Sequence, residues 1–213
     1  MSEIVTDNFT RADAANLGAN WTLVTGLTNF TILTNKGGTS ATNATFGGRF
    51  TGAGWTGGND HYVEVTVTAN LSGSDGGPAC RIQSGADSGY MFDINFADTV
   101  ALGSSQTIET YSVSGGVPSL ILAGTNMVIA ANDVLRLEAN GNQIGALVNG
   151  VQKVTATTNS AFSSGSPGIR WFQGASVNHG TEFSLFAAGD FAAAVVVVIP
   201  PPVGFDLAPQ QRV

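Results

Sequence analysis

A chain of 213 residues, 43% hydrophobic and only 11% charged, has enough apolar material for one core, which excludes wholesale disorder. A net charge of −7 with 8 scattered basic residues argues against a nucleic-acid partner, which would need Lys and Arg to neutralise phosphates. The single cysteine, Cys80, excludes an intrachain disulfide, and 28 glycines among many Thr, Ser, Asn and Val point to short strands joined by turns.

In chain order, the start MSEIVTDNFT has neither the basic stretch nor the apolar run of a secretory signal, so synthesis in a cytosol is expected. The sequons at Asn8, Asn20, Asn29, Asn43 and Asn70 then reflect an Asn- and Thr-rich β composition rather than glycosylation. Up to about residue 60, the short apolar runs WTLVTGL and FTIL sit between turns. YVEVTVTA alternates Val63, Val65 and Val67 with Tyr62, Glu64 and Thr66, the pattern of a half-buried strand. GSDGG at 73–77 reads as an acidic turn; Asp75 could touch calcium, but a calcium loop needs several more oxygen ligands, so no cofactor is expected. PACRIQ is strand-like and should bury Cys80 as an inert thiol.

GYMFDINFA places Tyr90, Phe92, Ile94 and Phe96 on one face and Met91, Asp93 and Asn95 on the other. TIETYSV and SLILAG flank Gly115-Gly116 as a hairpin. LRLEANGNQIGALVNGVQKVTA carries two Asn-Gly dipeptides, which predicts a meander over Leu135–Ala139, Gln143–Val148 and Val151–Thr155. Gly141 and Gly150 should then take positive φ, Leu135, Leu137, Ile144 and Val148 should be buried, and Arg136 and Glu138 should share the non-core face. GIRWFQG and TEFSLFA supply the last strands, and no ten-residue stretch has a helical stripe. Roughly a dozen short antiparallel strands imply an all-β sandwich or barrel.

Composition changes at GDFAAAVVVVIPPPVGFDLAPQQRV, dividing the chain into a sandwich domain (1–188) and an extended arm (189–213). The run Val195, Val196, Val197, Val198 and Ile199 is far shorter than the about 20 apolar residues of a membrane span, so no membrane partner is expected. Three prolines then impose an extended path. The β-branched run is expected to pair with a sheet edge, in this subunit or a neighbour, with Phe205 and Leu207 as a second anchor. A homo-oligomer or a larger particle is the expected partner.

Motif residues at both ends of the domain resemble the concanavalin A-like, laminin-G-like jelly-roll family over about residues 5–187. They are Asp7, Phe9, Arg11, Ala12, Asp13, Leu17, Gly18 and Trp21 at the start, and Arg81, Gly89 and Tyr90 in the centre. The end matches at Leu135 to Ala139, Gly141, Val148 to Gly150, Ser160, Phe162, Gly165, Gly168 and Ile169. Asn159 departs, standing where the family often has the acid of Thr-Asp-Ser. The resemblance implies a two-sheet antiparallel jelly roll, a fold found in glycan-binding modules, adhesin parts and phage virion proteins, and fold alone does not choose among them.

The chemistry is sparse. Asp93, Glu109 and Glu138 each stand alone on their strands, whereas retaining glycoside hydrolysis needs two carboxyls about 5–5.5 Å apart. His61 and His179 read as turn residues, and no zinc, phosphate-loop or nucleophile-elbow spacing occurs. For a glycan, which needs an aromatic platform and planar polar groups, the candidates are Trp55 with Arg81, Asp93, Asn95 and Arg170 on the concave face. Missing catalytic groups, a missing secretion signal, a lone domain and the arm together give the expectation of a non-enzymatic bacteriophage virion protein. It would be made in the host cytoplasm and decorate the capsid through the arm. The alternative is a carbohydrate-binding module for cell-surface glycans, on a phage tail or fibre or as a bacterial surface lectin.

Overall fold

The computed structural model describes residues 2–40, 43–70, 74–95, 102–103, 105–174 and 181–191. Strands dominate, and no helix occurs among the described residues. The first five are β1 (Ser2–Asp7), β2 (Trp21–Leu23), β3 (Thr31–Leu33), β4 (Lys36–Gly38) and β5 (Ala44–Phe50). Longer strands follow: β6 (His61–Asn70), β7 (Ser74–Ile82), β8 (Gly89–Asn95), β9 (Ser105–Ser114) and β10 (Val117–Val128). The last are β11 (Val134–Asn140), β12 (Gln143–Val148), β13 (Val151–Thr158), β14 (Ser166–Gln173) and β15 (Thr181–Asp190). One sheet runs β13-β12-β11-β6-β15-β4-β3 with β1 added against β15, and the other runs β10-β9-β8-β7-β14-β5-β2. The strand pairs are antiparallel, and the two sheets form a jelly-roll sandwich.

Side-chain alternation builds the interior. Val63, Val65 and Val67 of β6 face inward with Leu135, Leu137 and Ala139 of β11, and the register sets Leu135 opposite Val65 and Leu137 opposite Val63. Across the sandwich they meet Tyr90, Phe92 and Ile94 of β8, Ile108 of β9, and Ile169 and Trp171 of β14. Arg136 and Glu138 share the outer face, as expected, and Arg136 pairs with Glu64 across the strands at 3.1 Å and with Glu138 at 2.8 Å. Cys80 is buried and free, and burial pushes its thiol pKa up.

The meander matches the sequence expectation, with one shift. Asn149 and Gly150 take φ of 51° and 74°, the paired positive values of a type I′ turn. In the first hairpin Asn140 pairs with Gln143, so Gly141 and Asn142 form the corner, and only Gly141 has positive φ, at 54°. That is a type II′ corner, one residue later than the Asn-Gly dipeptide suggests. Leu135, Leu137, Ile144 and Val148 are buried. The GSDGG expectation is corrected: Asp75 stands in β7, where Gly76 takes φ of 138° and its Cα lies flush against the backbone of Arg170 and Trp171. His61 is likewise no turn residue. It opens β6 fully buried, its Nδ1 pairing with the Gly58 carbonyl and its Nε2 accepting from the Arg81 amide, and burial pushes its pKa down to about 4. β15 continues through Asp190, whose carboxylate accepts from the Gly58 amide at 2.9 Å, so the composition change at Gly189 falls inside the last strand. Val195 to Ile199, Phe205, Leu207, Phe96 and His179 lie outside the described residues.

The motif residues of both ends turn out to be staples. Asp7 accepts from the Phe9 amide at 2.8 Å, from Arg11 at 2.7 and 2.9 Å, and from the Trp21 indole at 2.7 Å. Burial opposes ionisation of Asp7, but these donors outweigh it and hold the carboxyl below its usual range. At the second staple Arg81, only 1% exposed, donates to the carbonyls of Asn59, Phe162 and Gly141 and to Asp60 at 2.8–2.9 Å. The Tyr90 ring lies beneath it, with its hydroxyl bonded to Asn159 and Phe162. Asn159 keeps a turn role, its side chain accepting from the Ala161 amide at 3.0 Å.

Arg81→Lys retains the charge but has no planar fork for these four acceptors. It should lower stability by about 3 kcal/mol, a Tm drop of about 6–12 °C by scanning calorimetry. An unchanged Tm would show that the staple does not hold the sandwich end.

Candidate functional site

The outer face of the second sheet carries a groove of about 300 Å³ running across the strands from β10 to β5. Register places its side chains. On β8, Met91 lies opposite Tyr111 of β9, and Asp93 lies opposite Glu109. On β14, Phe172 lies between Asp75 of β7 and Thr45 of β5. Arg170 lies between Gly77 and Gly47, where a Cβ would run into Phe92 and into Leu27 and Val24. Pro118 on the edge strand β10 and Gly116 close one end. Edge position is where a strand tolerates proline. Tyr111 and Phe172, both half-buried, thus stand three strand spacings apart, about 14 Å, with polar groups between them.

Those polar groups are unequal. Arg170 is held by Asp87 through two bonds of 2.9 Å and touches the Met91 sulfur at 3.2 Å, so its charge is already matched. Tyr111 donates to Glu109 at 2.7 Å, and burial with that acceptor raises its pKa. Asp93 is 7% exposed and accepts from the Gly76 amide, yet its Oδ1 has no hydrogen-bond partner among the described residues. Burial first, then the neighbouring Asp75 and Glu109, push its pKa well up, and Arg170 offsets only part of this. These causes favour the protonated form of Asp93 to a pH above the usual carboxylate range.

Of the five residues that sequence selects for a ligand, the groove brings together Asp93 and Arg170. Asn95 belongs to the same strand, its backbone in register with Thr107. Arg81 does not join them. It lies inside the end of the sandwich, where a second depression of about 500 Å³ is bordered by Asn59, Asp60, Asn142, Asp190 and Phe191. The cause is a backbone φ of 53° at Arg81, which breaks the strand alternation and turns the side chain inward. Trp55 is at this end too, half-buried with its ring edge-on to His61 at 5.3 Å, and lines neither depression. Sequence reasoning did not single out Tyr111 or Phe172 and took Glu109 as a lone acid. The alternation in TIETYS puts Glu109 and Tyr111 on one face, but only the β8–β9 register sets Glu109 beside Asp93.

Because Asp93 holds its proton when folded and releases it when unfolded, stability falls as pH rises from the usual carboxylate range through its raised value. Asp93→Asn should remove that loss. Its Tm should match the parent near pH 4 and exceed it at pH 8 by about 2–4 °C for each kcal/mol recovered, about 1 kcal/mol or more. A Tm difference that is constant with pH would contradict a raised pKa at Asp93.

No family model and no curated protein matches the sequence. Solved structures do match the fold. The carbohydrate recognition domain of Emp46p superposes with a TM-score of 0.60 at 12% identity, covering 90% of this chain and 97% of that one. A protein of unknown function with a galectin-like fold from Bacillus subtilis gives 0.61 at 9% identity, covering 89% and 96%. The CBM2 module of the evolved Dit of Lactobacillus casei BL23 phage J-1 gives 0.55 at 11% identity, covering 87% and 94%. The chain therefore shares its jelly-roll fold with these structures.

Proposed function

We propose that this protein is a non-catalytic carbohydrate-binding module that holds an extended glycan in the groove on its second sheet. One observation carries the reading: Tyr111 and Phe172 bracket the buried polar groups Asp93 and Arg170 on an open face. That combination offers apolar surface for sugar rings and fixed hydrogen-bonding groups for their hydroxyls. The neighbours with this fold include domains described as carbohydrate-binding, which supports the same class. The acids do not form a catalytic pair in this reading. Asp93 and Glu109 are side by side on adjacent strands, rather than facing each other across the groove, and Glu109 is already bonded to Tyr111.

A second reading puts the module on a bacteriophage particle, as a tail or fibre component or a capsid decoration protein. It is favoured by the similarity to a module of a phage Dit. The decoration role depends further on pairing by residues 192–213, outside the described residues, so deletion of that segment with a particle-binding assay tests it separately.

A glycan array on the whole chain tests the main reading, with at least one oligosaccharide class retained. Tyr111→Ala and Phe172→Ala should each weaken that binding about tenfold, about 1.4 kcal/mol. Trp55→Ala should leave affinity unchanged while lowering Tm. Retained affinity in both groove variants would rule out the groove as the site, and loss only with Trp55 would move it to the end of the sandwich where Trp55 packs against His61.

A further inference from the structure

Beside the groove lies a small pocket of about 10 Å³, walled by Val24, Leu27, Ala79, Ile82, Met91 and Val113. Register sets Ala79 of β7 opposite Met91 of β8, on the sheet face that carries the groove, and Gly89 opposite Val113 of β9. The turn at 24–27 forms the outer wall and is tied down. The Val24 amide donates to the Gly47 carbonyl at 3.2 Å, and the Leu27 amide to the Val24 carbonyl at 3.1 Å. Val24, Ala79 and Ile82, with Leu27 packed on them, make an apolar cluster separate from the main core. The space between these side chains holds about one water- or methyl-sized group. A water there lacks the two to four polar partners that it needs, whereas a methyl group needs none.

Pocket and groove share two side chains, Met91 and Arg170. Asp87 engages Nε and Nη2 of Arg170, each at 2.9 Å. Nη1 has the Met91 sulfur at 3.2 Å, and a thioether is a weak acceptor. A donor with a poor partner therefore stands at the pocket wall, where the pocket meets the groove.

We propose that the pocket and Arg170 together read the acetyl group of an acetylated saccharide lying in the groove. The methyl enters the pocket, and the carbonyl oxygen accepts from Arg170 Nη1. This rests on the carbohydrate-binding reading and names its ligand class. In an acetyl group the methyl and the oxygen hang from one carbon, which matches a donor at the wall of a methyl-sized space. The guanidinium charge is already balanced by Asp87, so recognition requires no charge on the ligand. A bare hydroxyl takes the donor but leaves the pocket empty. A 6-deoxy sugar fills the pocket but brings no carbonyl to Arg170, and a longer acyl chain exceeds the space. Amide-linked and ester-linked acetyl groups present the same two atoms, so the probes must separate them.

Calorimetry and saturation-transfer NMR of the whole chain decide it. The probes are β-1,4-linked hexamers of N-acetylglucosamine and of glucose, and acetylated xylan oligosaccharides before and after alkaline removal of their esters. An acetylated probe should bind about tenfold more tightly than its unacetylated counterpart. Its acetyl methyl should receive the strongest saturation. A preference seen only with the hexamers assigns an amide-linked acetyl, and one seen only with the xylan an ester-linked acetyl. Ala79→Val sets two further methyl groups in the pocket and should erase the preference while staying folded by circular dichroism. Val24→Ala widens the pocket and should admit an N-propanoyl hexamer that the parent binds about tenfold more weakly than the acetyl form. Equal affinity within both pairs, saturation centred on ring protons, or a preference surviving in Ala79→Val overturns the acetyl assignment and leaves the carbohydrate-binding reading standing. An L-rhamnose oligosaccharide bound as tightly as the acetylated probe overturns the carbonyl contact to Arg170. Failure of every probe to bind overturns the inference too, and the glycan array then decides whether the broader reading falls with it.

Discussion

A guanidinium taken almost wholly out of water must have each of its donors matched, and Arg81 imposes that constraint on one end of the sandwich. Its four acceptors come from the entry to β6, the β11–β12 corner and the segment before β14, places far apart in the chain. Misplacing any of them would leave a buried donor unsatisfied. The hub therefore fixes where the β11–β12 corner lies over Asp60, and Tyr90, Asn159 and Phe162 complete the closure from below. His61 belongs to the same assembly, because its neutral imidazole accepts from the Arg81 backbone. A protonated ring could not accept there, so burial and the Arg81 amide both favour the neutral imidazole, with its proton on Nδ1 toward the Gly58 carbonyl.

With the end fixed, the registers of β7, β8 and β14 follow, and with them the groove. Its construction departs from ordinary packing. Most interior positions of this fold hold apolar side chains, but Asp93 on the outer face is nearly as buried and is only partly satisfied. Such a group lowers stability and is a local conflict in an otherwise consistent design, and conflicts of that kind concentrate where a ligand is expected to resolve them. Glycine at positions 47 and 77 answers close neighbours of its own, since a Cβ there would meet Leu27 and Val24 in the one case and Phe92 in the other.

The residues that carry the family resemblance are not the residues of the groove. Asp7, Arg11 and Trp21 form one staple, and Arg81, Tyr90, Gly141 and Phe162 form the other. Both are requirements of closing a jelly roll, independent of what it binds. A ligand face tolerates substitution as long as its side chains point outward from paired strands. That separation explains why a recognisable fold motif says so little about ligand class.

Period-two alternation and turn chemistry are local, so the strand-rich class, the three-strand meander, its buried leucines, the Gly115-Gly116 hairpin and the inert Cys80 were legible in the chain alone. The sequence also placed Asp93 and Met91 on the face opposite Phe92. It missed the first turn by one residue, read Asp75 and His61 as turns, and put Arg81 on the wrong side. In each case a tertiary contact overrode the local signal: the Asn140–Gln143 pair, the backbone of β14 against Gly76, and the acceptors that draw Arg81 inward. Long-range strand pairing is what brings Tyr111, Glu109 and Phe172 to the face of Asp93 and Arg170. Alternation tells which way a side chain points, but long-range pairing chooses its neighbours, and no local pattern encodes the order β9-β8-β7-β14.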